Sequence, residues 1–524
     1  MPGLSCEPLT PTAFLERSAR VFGDRIAVID GDRRCTYREL YQRCRRLAGV
    51  LVSAGATAGS RVAVLAPNTG VLLEAHYGVP LAGAVLVTLN IRQSPEELAY
   101  IVEHSGASVL LYDYELGDAA RQLEGLVSTR LRLVESNGPS REYEELLAGA
   151  PPVATPVEDE LSVLSINYTS GTTGKPKGVM YHHRAAYLQS IAMAWHAGLA
   201  PESVFLWTLP MFHGHGWCFT WAVTAAGGTH LCLRKVVPAD IWRLMREEGV
   251  THLCAAPTVL TMLAYHPAAE VDPPPRPIQV CTGGGPPSPA LLRRLADLHV
   301  DVAHMYGMTE SHGPIALCEW RPEWDALPLE RRAQLKARQG VETITAQPMR
   351  VLAADGRDVA SDGKAVGEVA IRGNSLMLGY YKDPAATERA APDGWFRTGD
   401  LGVMHPDGYV EISDRAKDII ISGGENIASV EVENAVATHP AVRQAAVIAA
   451  PDEKWGEVPE AYVELKDDHT VTEEELIHHV RGLLAHFKAP RRIVFGPLPT
   501  TSTGKVQKFL LRDKAWTGTE KRVH

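Results

Sequence analysis

One rhythm constrains this chain more than any other feature: amphipathic helical segments alternate with short, almost wholly apolar runs. In TYRELYQRCRRLAGVLVSAG, Thr36 reads as an N-cap with Glu39 three residues on, the capping box that starts a helix. Leu40, Cys44, Leu47 and Leu51 then recur at helical spacing. RVAVLAPN reads as a short strand, a helical stretch follows to about residue 82, and AVLVTLN is the next strand. Later the rhythm returns. IWRLMREEG is helical, THLCAAP strand-like, SPALLRRLADLH a helix with Ser288 as cap and Pro289 at its first position, and DVAHMYG a strand. Buried strands separated by helices predict parallel sheets in an α/β architecture.

At 524 residues the chain exceeds one ordinary core, so two or more domains are expected. Two stretches read as boundaries. Residues 151–160, PPVATPVEDE, form a Pro-rich acidic linker, and residues 412–418, ISDRAKD, separate a turn-dense region from a new run. That run, SVEVENAVATHPAVRQAAVIAAP, reads as a helix capped by Ser429 and then a strand. AYVELK and TEEELIHHVRGLLAHF add a strand and a helix. The last stretch, about 105 residues, suffices for a small α+β domain.

Hydrophobic residues make up 45% and charged residues 22%, as in a soluble globular protein. The net charge of −10 excludes broad nucleic-acid binding but leaves room for a local cationic site. MPGLSCEPLTPTAF lacks a basic segment followed by an apolar one, and the most apolar stretches are broken by Glu74, His76, Pro80, Gly227 and His230. Neither a signal peptide nor a membrane span is expected. KRVH is not a peroxisomal address. The eight cysteines are scattered with no CxxC, which suits a reducing cytoplasm better than a disulfide or zinc framework.

After the linker and an apolar, strand-like run comes YTSGTTGKPKG, residues 168–178. Glycines let backbone approach a ligand, and consecutive N–H groups make an anion nest. Thr169, Ser170, Thr172 and Thr173 add hydroxyls around Gly171, and Lys175 and Lys177 add charge. That combination suits a polyphosphate. It is not a Walker A loop, because Pro176 stands where that motif needs Ser or Thr.

YTSGTTGKPKGV resembles the signature loop of the AMP-forming, adenylate-forming superfamily, which includes acyl- and aryl-CoA synthetases, adenylation domains and luciferases. The family's other blocks follow in order, so the resemblance spans essentially the whole chain. It implies a large domain over 1–414 and a small lid over 415–524, turning near Lys417 between two half-reactions. CTGGGPP resembles the turn along adenine, with Gly283, Gly284 and Gly285. MYGMTES resembles the second nucleotide block. Tyr306, Gly307 and Met308 would lie by adenine and the acyl carboxylate, Thr309 would touch phosphate, and Glu310 would hold Mg²⁺. WFRTGD supplies Asp400 for the ribose hydroxyls, and DRAKD supplies Arg415. Lys505, in PLPTTSTGKVQK, matches the mobile lysine of adenylation, whose ammonium stabilises transition-state charge. Gly423 and Gly424, in IISGGENIASVEVE, resemble glycines beside the pantetheine tunnel, and no carrier domain follows, so free CoA is the implied acceptor.

PMFHGHGWCFTWAV carries the variable information. His213 matches a position beside the acyl carboxylate. Gly214-His215 stands where similar chains often have Cys-Asn. His215 reads either as pocket wall or as core, and Trp217 likewise as pocket or core. The insertion 316–340 resembles one in plant-type acyl-activating enzymes and medium-chain, cinnamate or benzoate CoA ligases, and is expected as a surface feature covering the acyl side. The implied function is an ATP-dependent ligase that makes acyl-AMP and then acyl-CoA, with ATP, Mg²⁺ and CoA, as a possible homodimer. The rival readings are nitrite activation for diazotising an arylamine, or loading of a separate carrier protein.

Overall fold

The capping box forms as the sequence predicts. Thr36 Oγ1 accepts the Glu39 N–H at 3.3 Å, and the Glu39 carboxylate accepts the Thr36 N–H at 2.7 Å, starting the helix Tyr37–Ser53. Such segments feed two large sheets. The computed structural model describes residues 6–127, 132–139, 141–169, 176–271, 274, 276–285, 287, 289–415, 418–422, 425–452, 454–500 and 506–517.

The first sheet has seven strands, in the order Gly379–Tyr380, Gly178–His182, Val163–Tyr168, Val85–Thr88, Arg61–Leu65, Ala107–Asp113 and Arg132–Ser136. Its strands run parallel except at the Gly178–His182 and Gly379–Tyr380 edge. The second has nine strands, six of them parallel: Val300–Met308, Ile278–Thr282, His252–Ala255, Val204–Leu206, Thr229–Leu231 and Ile26–Asp30. A shared core packs helices between the sheets. Leu47, Leu72 and Trp221 from those helices meet Val64 and Val109 of one sheet and Phe205 and Met305 of the other. The outer faces are covered separately, by Trp242 and Leu295 on one side and by Leu98 and Leu123 on the other. This is the α/β architecture the strand rhythm predicts, with helices on both faces of parallel sheets. A four-stranded antiparallel sheet (Arg350–Leu352, Val366–Ile371, Phe396–Met404, Val410–Arg415) and a smaller C-terminal α+β unit complete the fold.

Three local expectations change. Residues 151–160 are a strap, not a boundary. The Val153 N–H donates to the Arg45 carbonyl and the Thr155 N–H to the Leu81 carbonyl, both at 2.8 Å, and strands from either side share one sheet. Ser429 is the first residue of the helix Ser429–Ala437 and not its cap. Its N–H goes to Asp414 Oδ2 at 2.5 Å and its Oγ accepts from Lys508 Nζ at 2.6 Å, so a distant carboxylate replaces the local hydroxyl. The insertion lies away from the expected face. Its helix Leu329–Ala337 packs on Pro289–Asp297 and on the strand Val300–Met308, with Lys336 on Asp301 at 2.8 Å. Arg338 pairs with Asp407 at 3.0 Å, and its guanidinium stands 4.4 Å from the Tyr409 ring. The insertion thus covers the hairpin at 405–409 and the start of a strand whose far end carries the site residues.

Candidate active site

Open α/β sheets bind ligands beyond the carboxyl ends of their strands. Here Val163–Tyr168 runs into the Gly/Ser/Thr loop, Ile278–Thr282 into Gly283–Gly285, and Val300–Met308 into Thr309 and Glu310. The two sheets are joined at this rim. Tyr181 OH donates to the Thr309 carbonyl at 2.7 Å, and Thr169 N–H closes the base of the loop on the Lys177 carbonyl at 3.0 Å.

Asp400 is 6% exposed. Tyr306 OH donates to its Oδ2 at 2.7 Å, and Arg415 Nε stands 3.2 Å from its Oδ1. Burial, and then the Asp400 carboxylate, push the Tyr306 phenol well above its ordinary pKa, so it stays a donor. Each carboxylate oxygen has a second lone pair, so the acid has capacity left for a diol. Gly284 has φ +84°, and an added Cβ at Gly284 or Gly285 would meet nothing within 4 Å. Bare backbone of this kind has room for a planar group to lie against it. Gly307 must lack a side chain for another reason: a Cβ there would stand 2.0 Å from the Gly313 carbonyl oxygen in the adjoining strand. Glu310 Oε1 accepts from Tyr380 OH at 2.9 Å, and Lys177 Nζ lies 4.8 Å from the Tyr380 ring centre. A carboxylate beside a phosphate loop is a donor suited to a hard cation such as Mg²⁺.

The run HGHGW builds an unusual wall. Gly214, His215, Gly216, Trp217 and Cys218 all have φ between 52° and 65°. Left-handed backbone is costly for residues with a Cβ, and two glycines within five residues lower that cost. A Cβ on Gly216 would stand 2.3 Å from Trp207 Cζ3. The turn aims the half-buried Trp217 at the site: a Cβ on Gly283 would meet its Cη2 at 3.1 Å, and one on Gly313 its Cα at 3.0 Å. His213, exposed, stands just before this wall.

His215 is fully enclosed. Its Nε2 is 2.6 Å from Ser165 Oγ and 2.7 Å from Asn167 Nδ2, and its ring packs against His76, Tyr181 and Trp221. Burial, with His76 and His312 nearby, drives its pKa well below the ordinary range, so it is neutral. As folded it offers no accessible surface to an acid, and the geometry supports core packing for it.

Of the remaining expected residues, Ser170, Gly171, Thr172, Thr173, Lys175, Lys417, Gly423, Gly424 and Lys505 lie outside the described residues. Those described lie on strand ends and the loops that follow them (Thr169, Lys177, Gly283–Gly285, Tyr306–Glu310 and Arg415), apart from Asp400, which is in the middle of the strand Phe396–Met404. Sequence reading missed Tyr380. The run LGYYKD was its only signal, and nothing local says that this phenol reaches Glu310, 70 residues away.

Paired α/β sheets whose strand ends bring bare glycine backbone, a buried aspartate and an available carboxylate to one rim suit a nucleotide-activating enzyme. The comparisons place it. Residues 15–381 match the family model "AMP-binding enzyme" and residues 431–505 match "AMP-binding enzyme C-terminal domain". The chain belongs to the AMP-binding enzyme family and is an AMP-forming acid–thiol ligase. It is 43% identical to an acetate–CoA ligase of Humulus lupulus, over 97% of this chain and 94% of that one. It is 41% identical to a peroxisomal benzoate–CoA ligase of Arabidopsis thaliana, over 97% of this chain and 93% of that one. Among solved structures, ATP-bound MatB from Rhodopseudomonas palustris superposes with a TM-score of 0.85 at 27% identity, covering 98% of this chain and 100% of that one.

Proposed function

We propose that the protein uses ATP to convert a compact carboxylic acid, a short acyl or single-ring aryl acid, into its acyl adenylate, and then passes the acyl group to CoA. The observation that carries the choice of acid is Trp217. Its indole edge lies 3.1 Å from where a Cβ on Gly283 would stand, and in this reading that ring closes the acyl space and limits its length. The named relatives act on acetate and on benzoate, two acids of that compass.

In this reading the backbone and hydroxyls of 169–173, with Lys175 and Lys177, hold the β- and γ-phosphates. Gly283–Gly285 and Tyr306 seat the base, and Asp400 and Arg415 hold the ribose. Glu310 would hold Mg²⁺, which neutralises phosphate charge when bound. Thr309 orients the α-phosphate, and Lys505 stabilises the charge that develops as the carboxylate oxygen attacks and pyrophosphate departs. His213 lies at the mouth beside the carboxylate. The 415–524 lid then turns about Lys417 and withdraws Lys505, and the CoA thiol enters past Gly423 and Gly424, attacks the acyl carbon and displaces AMP. Splitting the reaction spares the thiol an attack on an unactivated carboxylate.

No helix among the described residues is long and apolar enough to cross a membrane. All eight cysteines are free and seven are buried, which supports a reducing compartment such as the cytoplasm. A homodimer belongs to the same reading, resting on the sequence resemblance, and sedimentation equilibrium measures it directly.

Pyrophosphate release across a panel of acids, with and without CoA, tests the proposal. Turnover with acids of two to seven carbons and acyl-CoA as product is the expected result. Release with nitrite and an arylamine but with no carboxylic acid overturns it.

A further inference from the structure

The segment 377–381 ties together two parts of the site that the sequence keeps far apart. The Met377 N–H donates to the Glu310 carbonyl at 2.8 Å. The Leu378 N–H donates to the Met180 carbonyl at 3.0 Å, and the Tyr381 N–H to the Gly178 carbonyl at 2.7 Å. Tyr380 pairs with Val179 as an added antiparallel strand, and its own N–H is held by Thr387 Oγ1 at 2.9 Å. The strap therefore bonds at one end to the residue that bears the acid and at the other to the strand leaving the phosphate loop. Gly379 permits it: φ is +146°, and a Cβ there would stand 2.8 Å from Thr387 Cγ2.

Between these anchors the Tyr380 side chain is 9% exposed. Its hydroxyl meets Glu310 Oε1 at 2.9 Å, while the Lys177 ammonium sits 4.8 Å from its ring centre. One ring thus touches the acid with its polar tip and the loop cation with its face. Burial, and then Glu310, raise the phenol pKa, so it remains a hydrogen-bond donor at neutral pH.

We propose that Tyr380 is a positioning residue for adenylation: its hydroxyl orients the Glu310 carboxylate toward the metal, and its ring seats Lys177 toward the phosphates. This rests on the reading of Glu310 as the metal-holding acid. A hydrogen bond to one carboxylate oxygen restricts rotation of the group and presents the remaining lone pairs in one direction. Outer partners of this kind typically change metal affinity by roughly 10–100-fold.

Tyr380→Phe, Tyr380→Leu and Glu310→Gln in the full chain separate the possibilities. ATP binding is measured calorimetrically with and without Mg²⁺. Pyrophosphate release is titrated with Mg²⁺, thioester formation is started from preformed acyl adenylate, and Tm is recorded. Tyr380→Phe is expected to raise the Mg²⁺ needed for half-maximal release by roughly 10-fold or more. Metal-free ATP binding, thioester formation and Tm stay unchanged. Tyr380→Leu also weakens metal-free ATP binding, by roughly 3–10-fold, because Lys177 loses its seat. If Glu310→Gln shifts the Mg²⁺ dependence and Tyr380→Phe does not, the role of Tyr380 is overturned while the metal reading stands. If Glu310→Gln itself shifts nothing, the metal reading falls and this inference with it. Equal losses in both half-reactions with a lowered Tm identify a structural tyrosine and overturn positioning.

Discussion

In the proposed reaction Lys505 and Trp217 have different roles. Lys505 contributes only while it lies against the developing charge, so Lys505→Ala is expected to slow pyrophosphate release by roughly 10²–10³-fold. ATP binding and thioester formation from preformed adenylate survive in that variant, and stopped-flow measurement of the two half-reactions checks the split. Trp217 contributes no charge. In the proposed reading it limits how far an acid can extend, with its indole edge on Gly283. Trp217→Ala is expected to move kcat/KM by about 10-fold or more toward longer acids, since each added methylene that finds room contributes roughly 1 kcal/mol. A panel of straight-chain acids reads this directly, and an unchanged length preference removes Trp217 from the pocket wall. Asp400 shows why residue type alone is not enough. The motif RTGD marks the aspartate, but not that Tyr306, 94 positions away, is bonded to it.

The left-handed turn 214–218 is the element whose sequence says most once its backbone is known. HGHG alternates glycine with histidine, which neither helical nor strand periodicity explains. With φ near +56° and Trp207 packed 2.3 Å from where its Cβ would be, Gly216 has no tolerated substitute. Gly216→Ala is expected to cost roughly 2–4 kcal/mol, the sum of left-handed strain and overpacking. Denaturant melts measure this, and an unchanged midpoint contradicts the turn geometry. Caps differ in the same way. The box at Thr36 and Glu39 is local and readable from four residues. The helix at Ser429 takes its cap from Asp414, which no local pattern reveals.

Across the whole molecule, the buried histidines set a stability that depends on pH. Burial holds His76 and His304 at about 4 and His230 at about 3, against an ordinary value of 6.5. The unfolded chain therefore binds protons first as pH falls. The contribution of these rings is fully present above pH 6.5 and is lost progressively down to about pH 4 for His76 and His304 and about pH 3 for His230. By pH 5 each is expected to have lost roughly 2 kcal/mol. Tm measured from pH 7 to pH 5 should fall steeply, and a flat profile contradicts neutral burial. The α/β class, the chemical inventory of the site and the order of its loops were legible in the sequence, because caps, glycine turns and hydrophobic period are local properties of the chain. Where the 151–160 strap runs, which face the 316–340 insertion covers, that His215 is enclosed, and that Tyr380 meets both Glu310 and Lys177 were decided only by the tertiary structure. Those outcomes depend on which distant segments pack together, and burial and long-range hydrogen bonding exist only once they do.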